Sequence, residues 1–184
     1  MGVNNIVKLE IERRFLLKNL PNNVGDGILT EQVYLPFINL KIKEALLFYE
    51  DKKITKLNEK KELQEALNSN QKNYACRIRK QNNNYIFTIK IREAPGIRKE
   101  WEWVVGTEFE EYFNYKLPRI SKNRYKLQFE ENIWEIDEFL DNNSGLIIAE
   151  IELKSLETEL NLPIWVGEEI TGKIKYLNSE LAKQ

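Results

Sequence analysis

The segment IVKLEIERRFLL, residues 6–17, alternates apolar and charged side chains. Leu9 and Ile11 would lie on one face of a β-strand and Glu10 and Glu12 on the other, because successive side chains of a strand point to opposite faces. The segment therefore predicts a strand with one face buried and one face charged.

The same period of two recurs along most of the chain. Further strands are predicted at residues 28–35, 75–80, 85–93, 98–105, 122–130, 133–140 and 146–154. About eight short strands joined by short turns are typical of a mostly antiparallel sheet.

Helical patterns are fewer, and they fall near residues 40–50, 56–68, 107–116 and 168–183. Thr107 followed by Glu110 resembles a capping box, and this pair predicts the start of the third helix. The first two patterns lie in a Lys-, Glu- and Asn-rich stretch at about 37–74, which interrupts the strands and is interpreted as a helical insertion.

The composition limits the function. The chain has 184 residues, 28 Lys and Arg, 29 Asp and Glu, no His and one Cys. Domains average roughly 150 residues, so a single domain over 1–184 is expected. The absence of His excludes His-dependent triads and His-ligated metals. The balanced charge argues against a broad nucleic-acid surface, so no nucleic-acid partner is expected.

Several sequence features bear on location. There is no signal segment and no run of 18 apolar residues. Ile6 replaces the Ser or Thr of a myristoylation motif that begins at Gly2. Cys76, the one cysteine, fits a reducing compartment. We expect a cytoplasmic protein without membrane contact, either a monomer or a homodimer.

Charged strand faces are sorted by sign. Acidic i,i+2 pairs occur at Glu10/Glu12, Glu100/Glu102, Glu135/Asp137 and Glu150/Glu152, and basic sets at Arg77/Arg79, Lys90/Arg92 and Lys122/Arg124/Lys126. Same-face neighbours about 7 Å apart repel by roughly 2.4 kcal/mol at an effective dielectric of 20. A solvated face tolerates this repulsion, and such a face is one interpretation of the pattern. The opposite faces carry Trp101, Trp103 and Trp134, which favours a sheet curled with its aromatic side outward under helices and its charged side lining a channel.

Such a channel has a definite chemistry. Carboxylate clusters without His or Cys favour Mg²⁺ or Mn²⁺ over zinc. Many Arg and Lys donors suit a chain of phosphates.

The motifs, taken in order, resemble the CYTH superfamily, the triphosphate tunnel metalloenzymes. The resemblance is carried by Glu10-Ile-Glu12-Arg-Arg14, Glu31-Gln-Val-Tyr34, Arg77-Ile-Arg79, Phe87-Thr-Ile-Lys90, Arg98-Lys-Glu100-Trp-Glu102, Lys122-Asn-Arg124, Trp134-Glu-Ile-Asp137 and Glu150-Ile-Glu152. It covers nearly the whole chain outside about 37–74. It implies an α+β fold, an eight-stranded antiparallel β-barrel with helices packed outside.

The resemblance also implies a site and an activity. Glu10, Glu12, Glu100, Glu102, Asp137, Glu150 and Glu152 would hold Mg²⁺ or Mn²⁺. Arg14, Arg77, Arg79, Lys90, Arg98, Lys122 and Arg124 would bind the phosphates. Glu10, Glu12, Arg14 and Lys90 would be catalytic. The implied reaction is hydrolysis of a small triphosphate, most simply tripolyphosphate, with ATP or thiamine triphosphate as other substrates, by a metal-activated water.

One departure keeps alternatives open. Arg14 stands where the family usually has Lys, and an arginine keeps its proton whereas a lysine can shift its pKa. A non-catalytic triphosphate- or polyphosphate-binding protein is therefore an alternative. A class IV-type adenylyl cyclase that makes cyclic AMP from ATP is another, although the sequence supplies no clear adenine pocket.

Overall fold

The architecture was analysed in a computed structural model, which describes residues 8–57, 61–68 and 74–184. The strands are β1 Lys8–Leu17, β2 Ile28–Tyr34, β3 Leu40–Lys43, β4 Leu46–Tyr49, β5 Lys52–Lys56, β6 Tyr74–Gln81, β7 Asn84–Ala94, β8 Ile97–Val105, β9 Arg119–Phe129, β10 Asn132–Phe139 and β11 Ile147–Glu152. The α-helices are α1 Lys61–Asn68 and α2 Asn178–Leu181, and short 3-10 helices lie at Phe37–Asn39, Thr107–Asn114, Asp141–Asn143 and Ile174–Tyr176. The prediction for Gly2 and Ile6, and the parts of the predicted insertion at 58–60 and 69–73, lie outside the described residues.

Eight strands close into a barrel in the order β1-β11-β10-β9-β2-β6-β7-β8. Every neighbouring pair that closes the barrel is antiparallel. The predicted eight-stranded antiparallel barrel is therefore confirmed. Its register sets Glu12 directly opposite Glu152 and Arg14 opposite Glu150.

The aromatic faces of the strands point out of the barrel into packed layers, as predicted. Phe87, Trp101 and Trp103 join one buried apolar cluster, and Trp134 anchors a second cluster. Since aromatic side chains bury large areas, these layers fix which face of each strand looks inward.

The insertion differs from the prediction at 40–50, where the expected helix is wrong. Strands β3, β4 and β5 form a separate three-stranded antiparallel sheet. Two tight turns break any helix here, with Glu44 and Ala45 at φ 45° and 70° and Glu50 at φ 55°. A left-handed backbone cannot continue an α-helix. Within the predicted 56–68 helix, the structure places α1.

The insertion covers the barrel wall. Leu47 and Tyr49 are fully buried in the cluster that contains Phe87, and the Tyr49 and Phe87 rings lie 5.8 Å apart. The three-stranded sheet thus replaces helices as the main cover of this side of the barrel.

Two further helix predictions need correction. The 107–116 pattern forms a 3-10 helix in which Gly106, not Thr107, is the N-cap, and no side chain caps it. The 168–183 pattern yields only a 3-10 turn and the short α2. A long helix cannot form there because Gly172 adopts φ +75° and the Ile170 N–H donates to the Arg14 carbonyl of the barrel. Among the described helices, none is long and apolar enough to cross a membrane.

We predict that Leu47→Ala lowers the free energy of unfolding by about 2–5 kcal/mol, because it leaves a cavity beneath the three-stranded sheet. Ile38→Ala is the matched control, since Ile38 is 86% exposed in the same insertion and its truncation should change stability little. Urea unfolding measures both variants. Equal losses for the two would show that the sheet does not pack on the barrel.

Candidate active site: a charged tunnel

The described part of the barrel encloses a cavity of about 990 Å³. All of the predicted site residues line it except Lys122 and Asp137, which are fully buried in the wall. The structure therefore brings predicted site residues of β1, β6, β7, β8, β9 and β11 to the lumen. Strand β9 contributes Arg124 there, and β2 contributes residues that the motifs did not mark as site residues.

The acids of β1 and β8 are interleaved with bases. Glu10 accepts hydrogen bonds from Lys90 at 2.9 Å and is ion-paired with Arg98 at 3.0 Å. Lys90 also contacts Glu100 at 2.9 Å, and Glu12 is paired with Arg98. All of these carboxylates are buried, and a buried charge without a close partner of opposite sign strongly destabilises a fold.

Arg14 bridges three parts of the molecule. Its Nε donates to Glu150 Oε1 at 2.8 Å and its Nη1 donates to the Tyr176 carbonyl at 2.9 Å. Its backbone N–H donates to Thr171 Oγ1. The guanidinium therefore ties the C-terminal segment to the tunnel wall, which a lysine could not do with a single ammonium group.

Behind the wall of the cavity, Lys122 and Asp137 form a buried ion pair. Arg124 donates to both oxygens of Asp137, each at 2.7 Å, and to Glu150 at 3.0 Å. Burial and the neighbouring Arg124 lower the pKa of Lys122 to about 8. Burial opposes ionisation of Asp137, but Arg124 outweighs it and lowers the pKa of that carboxyl.

Glu150 is held between two guanidinium groups. Burial alone would raise the pKa of Glu150, but Arg14 and Arg124 outweigh it and hold that pKa well below the usual range. The carboxylate is thus ionised at neutral pH.

The arginines of β6 face the acids of β8. Arg79 donates to Glu102 at 3.3 Å, and Thr88 donates to the same carboxylate at 2.9 Å. Burial raises the pKa of Glu102, yet Arg79 and Arg77 reverse the effect and lower it. Burial, followed by the charge of Arg77, lowers the pKa of Arg79.

The sequence motifs missed Gln32, which is buried and lines the cavity. Its Oε1 accepts hydrogen bonds from Arg77 Nη1 and from Tyr34 Oη, both at 3.2 Å. Strand parity could have found it, because Gln32 shares the inward face with Tyr34. Asn178 also lines the cavity, and this contribution of α2 had no signal in the strand pattern.

The carboxylates do not form a ready metal cage. Within residues 8–57, 61–68 and 74–184, no three acidic or sulfur side chains converge as a metal site. Glu152 instead pairs with Lys8 at 2.6 Å, where both side chains are 58% exposed. The donor chemistry nevertheless fits a hard divalent cation, because Glu10 and Glu12 of β1 adjoin Glu150 and Glu152 of β11 and all offer carboxylate oxygens.

A closed antiparallel barrel whose acids and bases share one lumen is the architecture of a triphosphate tunnel protein. No family model matches the chain. This chain is 42% identical over 116 residues to an inorganic triphosphatase of Acetivibrio thermocellus. The match covers 61% of this chain and 74% of that protein. It is 32% identical over 111 residues to an inorganic triphosphatase of Nitrosomonas europaea, and the match covers 58% of this chain and 73% of that protein.

The fold agrees with this similarity. The crystal structure of the inorganic triphosphatase NE1496 superposes with a TM-score of 0.60 at 24% identity, covering 98% of both chains. This chain belongs to the CYTH-domain family of inorganic triphosphatases.

We predict that Glu150→Gln destabilises the protein at pH 7 by on the order of 3 kcal/mol, because it removes one partner of a buried ion pair. The folded-state pKa of Glu150 is lowered, so its contribution is present above the unfolded pKa near 4.5 and is lost as the pH falls through the folded value. The stability difference between wild type and variant should therefore narrow below about pH 4.5.

Urea unfolding from pH 7 to pH 3 measures this difference. The exposed Glu157→Gln is the control and should match wild type throughout. A gap for Glu150→Gln that stays constant across the range would contradict the assigned pKa shift.

Proposed function

We propose that this chain hydrolyses inorganic tripolyphosphate inside the tunnel with the help of Mg²⁺ or Mn²⁺. The two relatives above are inorganic triphosphatases, and they support the reaction. Tripolyphosphate is the simplest ligand that carries the triphosphate. Most of the polar residues that line the lumen are charged, with Tyr34 and Tyr74 as the aromatic residues among the described lining.

One observation carries the assignment of an anionic ligand. Arg14 Nη2, Arg77 Nε and Arg79 Nε are buried and have no hydrogen-bond partner among the described residues. A buried donor left unpaired costs about 1–3 kcal/mol. All three side chains line the cavity, so phosphate oxygens within it would satisfy them.

The other basic groups would complete the phosphate site. Lys90, Arg98 and Arg124 now pair with carboxylates of the lumen, and phosphate oxygens would compete for the same donors. Lys122 is proposed to act through Arg124, because it is fully buried and holds Asp137 against that guanidinium. These fixed positive charges would stabilise the charge that spreads over the transferred phosphoryl group.

Glu10, Glu12, Glu150 and Glu152 would hold one divalent cation, and Glu100 and Glu102 would serve a second one or its waters. Asp137, predicted from the sequence for the second cation, is buried behind the lumen and would instead hold Arg124 in position. When bound, Mg²⁺ or Mn²⁺ neutralises phosphate charge and makes a water more acidic. In the reaction, a water oxygen bonds to a terminal phosphorus and the P–O–P bond breaks, giving orthophosphate and pyrophosphate. Lys90, which pairs with Glu10 and Glu100, would stabilise the negative charge of the leaving group.

We predict that purified protein releases phosphate from tripolyphosphate only with Mg²⁺ or Mn²⁺, and that a chelator stops the reaction until metal is added back. Glu12→Gln should lower kcat by at least about 100-fold, because it removes a carboxylate of the metal site. Glu157→Gln, which changes an exposed glutamate outside the cavity, is the control. Full activity of Glu12→Gln, or activity unaffected by chelator, would contradict the proposal.

We predict that Arg14→Lys lowers kcat/KM by about tenfold or more, because an ammonium cannot contact Glu150 and the Tyr176 carbonyl together while facing the phosphates. Steady-state hydrolysis of tripolyphosphate measures it. A clear rise in turnover would instead favour the binding-protein alternative, in which Arg14 is the reason for weak catalysis.

A further inference from the structure

The outer face of the three-stranded insertion sheet carries a regular pattern of lysines around an apolar centre. The strand register places two cross-strand rows on that face, Lys41–Phe48–Lys53 and Lys43–Leu46–Lys56. Directly paired residues of antiparallel strands lie on the same face of a sheet. We name these six residues the lysine face.

The apolar centre of the lysine face is not used by the core. On β4, the alternate residues Leu47 and Tyr49 are buried against the barrel, whereas Leu46 and Phe48 are partly exposed. The neighbouring side chains that pack on the barrel cluster include Leu40 and Ile42, but neither Leu46 nor Phe48 belongs to it. Phe48 therefore lies on the outer face with part of its ring accessible, outside the cluster that packs on the barrel.

The six residues of the lysine face include four lysines and no acid. Its four lysines are exposed, and the acids of the segment 40–56, Glu44, Glu50 and Asp51, lie in the turns at the ends of the strands. Glu50 is already engaged by Asn39 and Tyr112. Lysines on edge strands also hinder sheet-to-sheet association, but that role needs no aromatic side chain on the central strand.

We propose that the lysine face binds single-stranded nucleic acid, with a base stacked on Phe48 and phosphates along the lysines. Proteins that bind single strands without sequence preference combine such basic rows with aromatic stacking. Strand spacing sets the lysines of β3 about 10 Å from those of β5, across β4. Lys41 and Lys43, two residues apart on β3, lie about 7 Å from each other. A phosphate chain without bases would use the lysines and not Phe48.

This inference departs from the expectation of no nucleic-acid partner, which rested on a net charge of −1 over the whole chain. That average says nothing about how the charges are distributed, and the register of the insertion sheet gathers four lysines on one face. The lysine face is outside the tunnel, so the inference stands independently of the proposed hydrolysis.

The test uses the full chain and a fluorescein-labelled oligoadenylate of about 12 nucleotides, within the range of known single-strand sites. A 5′-hydroxyl end leaves the probe without a triphosphate for the tunnel. Fluorescence anisotropy at about 50 mM salt should give a Kd in the range of about 10⁻⁴–10⁻⁶ M. The slope of log K against log salt should be about −2 to −3, because three or four phosphates are contacted.

Three variants show which residues bind the oligonucleotide. Lys43→Glu with Lys53→Glu should weaken binding by at least about tenfold, since two contacts become repulsive, whereas Lys18→Glu with Lys154→Glu, an equal charge change on exposed lysines elsewhere, should leave most of the affinity. Phe48→Ala should weaken oligoadenylate binding by about fivefold or more. It should not change competition by inorganic polyphosphate.

All variants should keep the wild-type melting temperature and tripolyphosphate hydrolysis, which separates loss of the face from loss of the fold. The proposal is overturned by any of three results. One is no binding by the wild-type chain at low salt. Another is an equal loss in the two double variants. The third is an unchanged affinity in Phe48→Ala, which would mark a phosphate-only surface.

Discussion

Closure of a sheet into a barrel forces alternate side chains of eight strands into one interior, and here that interior is charged. Each acid must then find a base at short range, because charges removed from water attract and repel far more strongly than exposed ones. The register satisfies this requirement locally. Glu10 lies between Lys90 and Arg98, and Glu150 lies between Arg14 and Arg124. The lumen therefore contains a network of ion pairs whose positions are fixed by strand pairing.

Such a network of buried ion pairs contributes little to the stability of a fold. A buried ion pair replaced by apolar side chains of similar size often leaves a protein equally or more stable, and an eight-stranded barrel can be filled by side chains alone. The unpaired N–H groups of Arg14, Arg77 and Arg79 cost further stability. The arrangement becomes intelligible if the basic groups exchange carboxylate oxygens for phosphate oxygens while the freed carboxylates accept a cation. The same positive charges that neutralise Glu10 and Glu150 would then neutralise a triphosphate.

The barrel and most of the site were predictable because strand alternation is a short-range property that the sequence shows directly. The buried positions of Lys122 and Asp137 could not be predicted. Strand alternation shows which face a side chain occupies, but not how deeply the side chain lies behind Arg124. The insertion was misassigned at 40–50 because its lysines and glutamates suit a helix, while the left-handed turns that enforce hairpins become visible only in the backbone. The C-terminal helical spacing failed for a different reason: hydrogen bonds to the barrel override local propensity there.

The proposed function requires that a triphosphate and its cation bind in the lumen. A crystal structure with tripolyphosphate and Mn²⁺, located by its anomalous signal, measures this directly. The account predicts phosphates in the lumen against Arg14, Arg77 and Arg79, with a manganese peak beside Glu10 and Glu12. Phosphates bound on the outer surface, or a manganese peak away from these carboxylates, would contradict it.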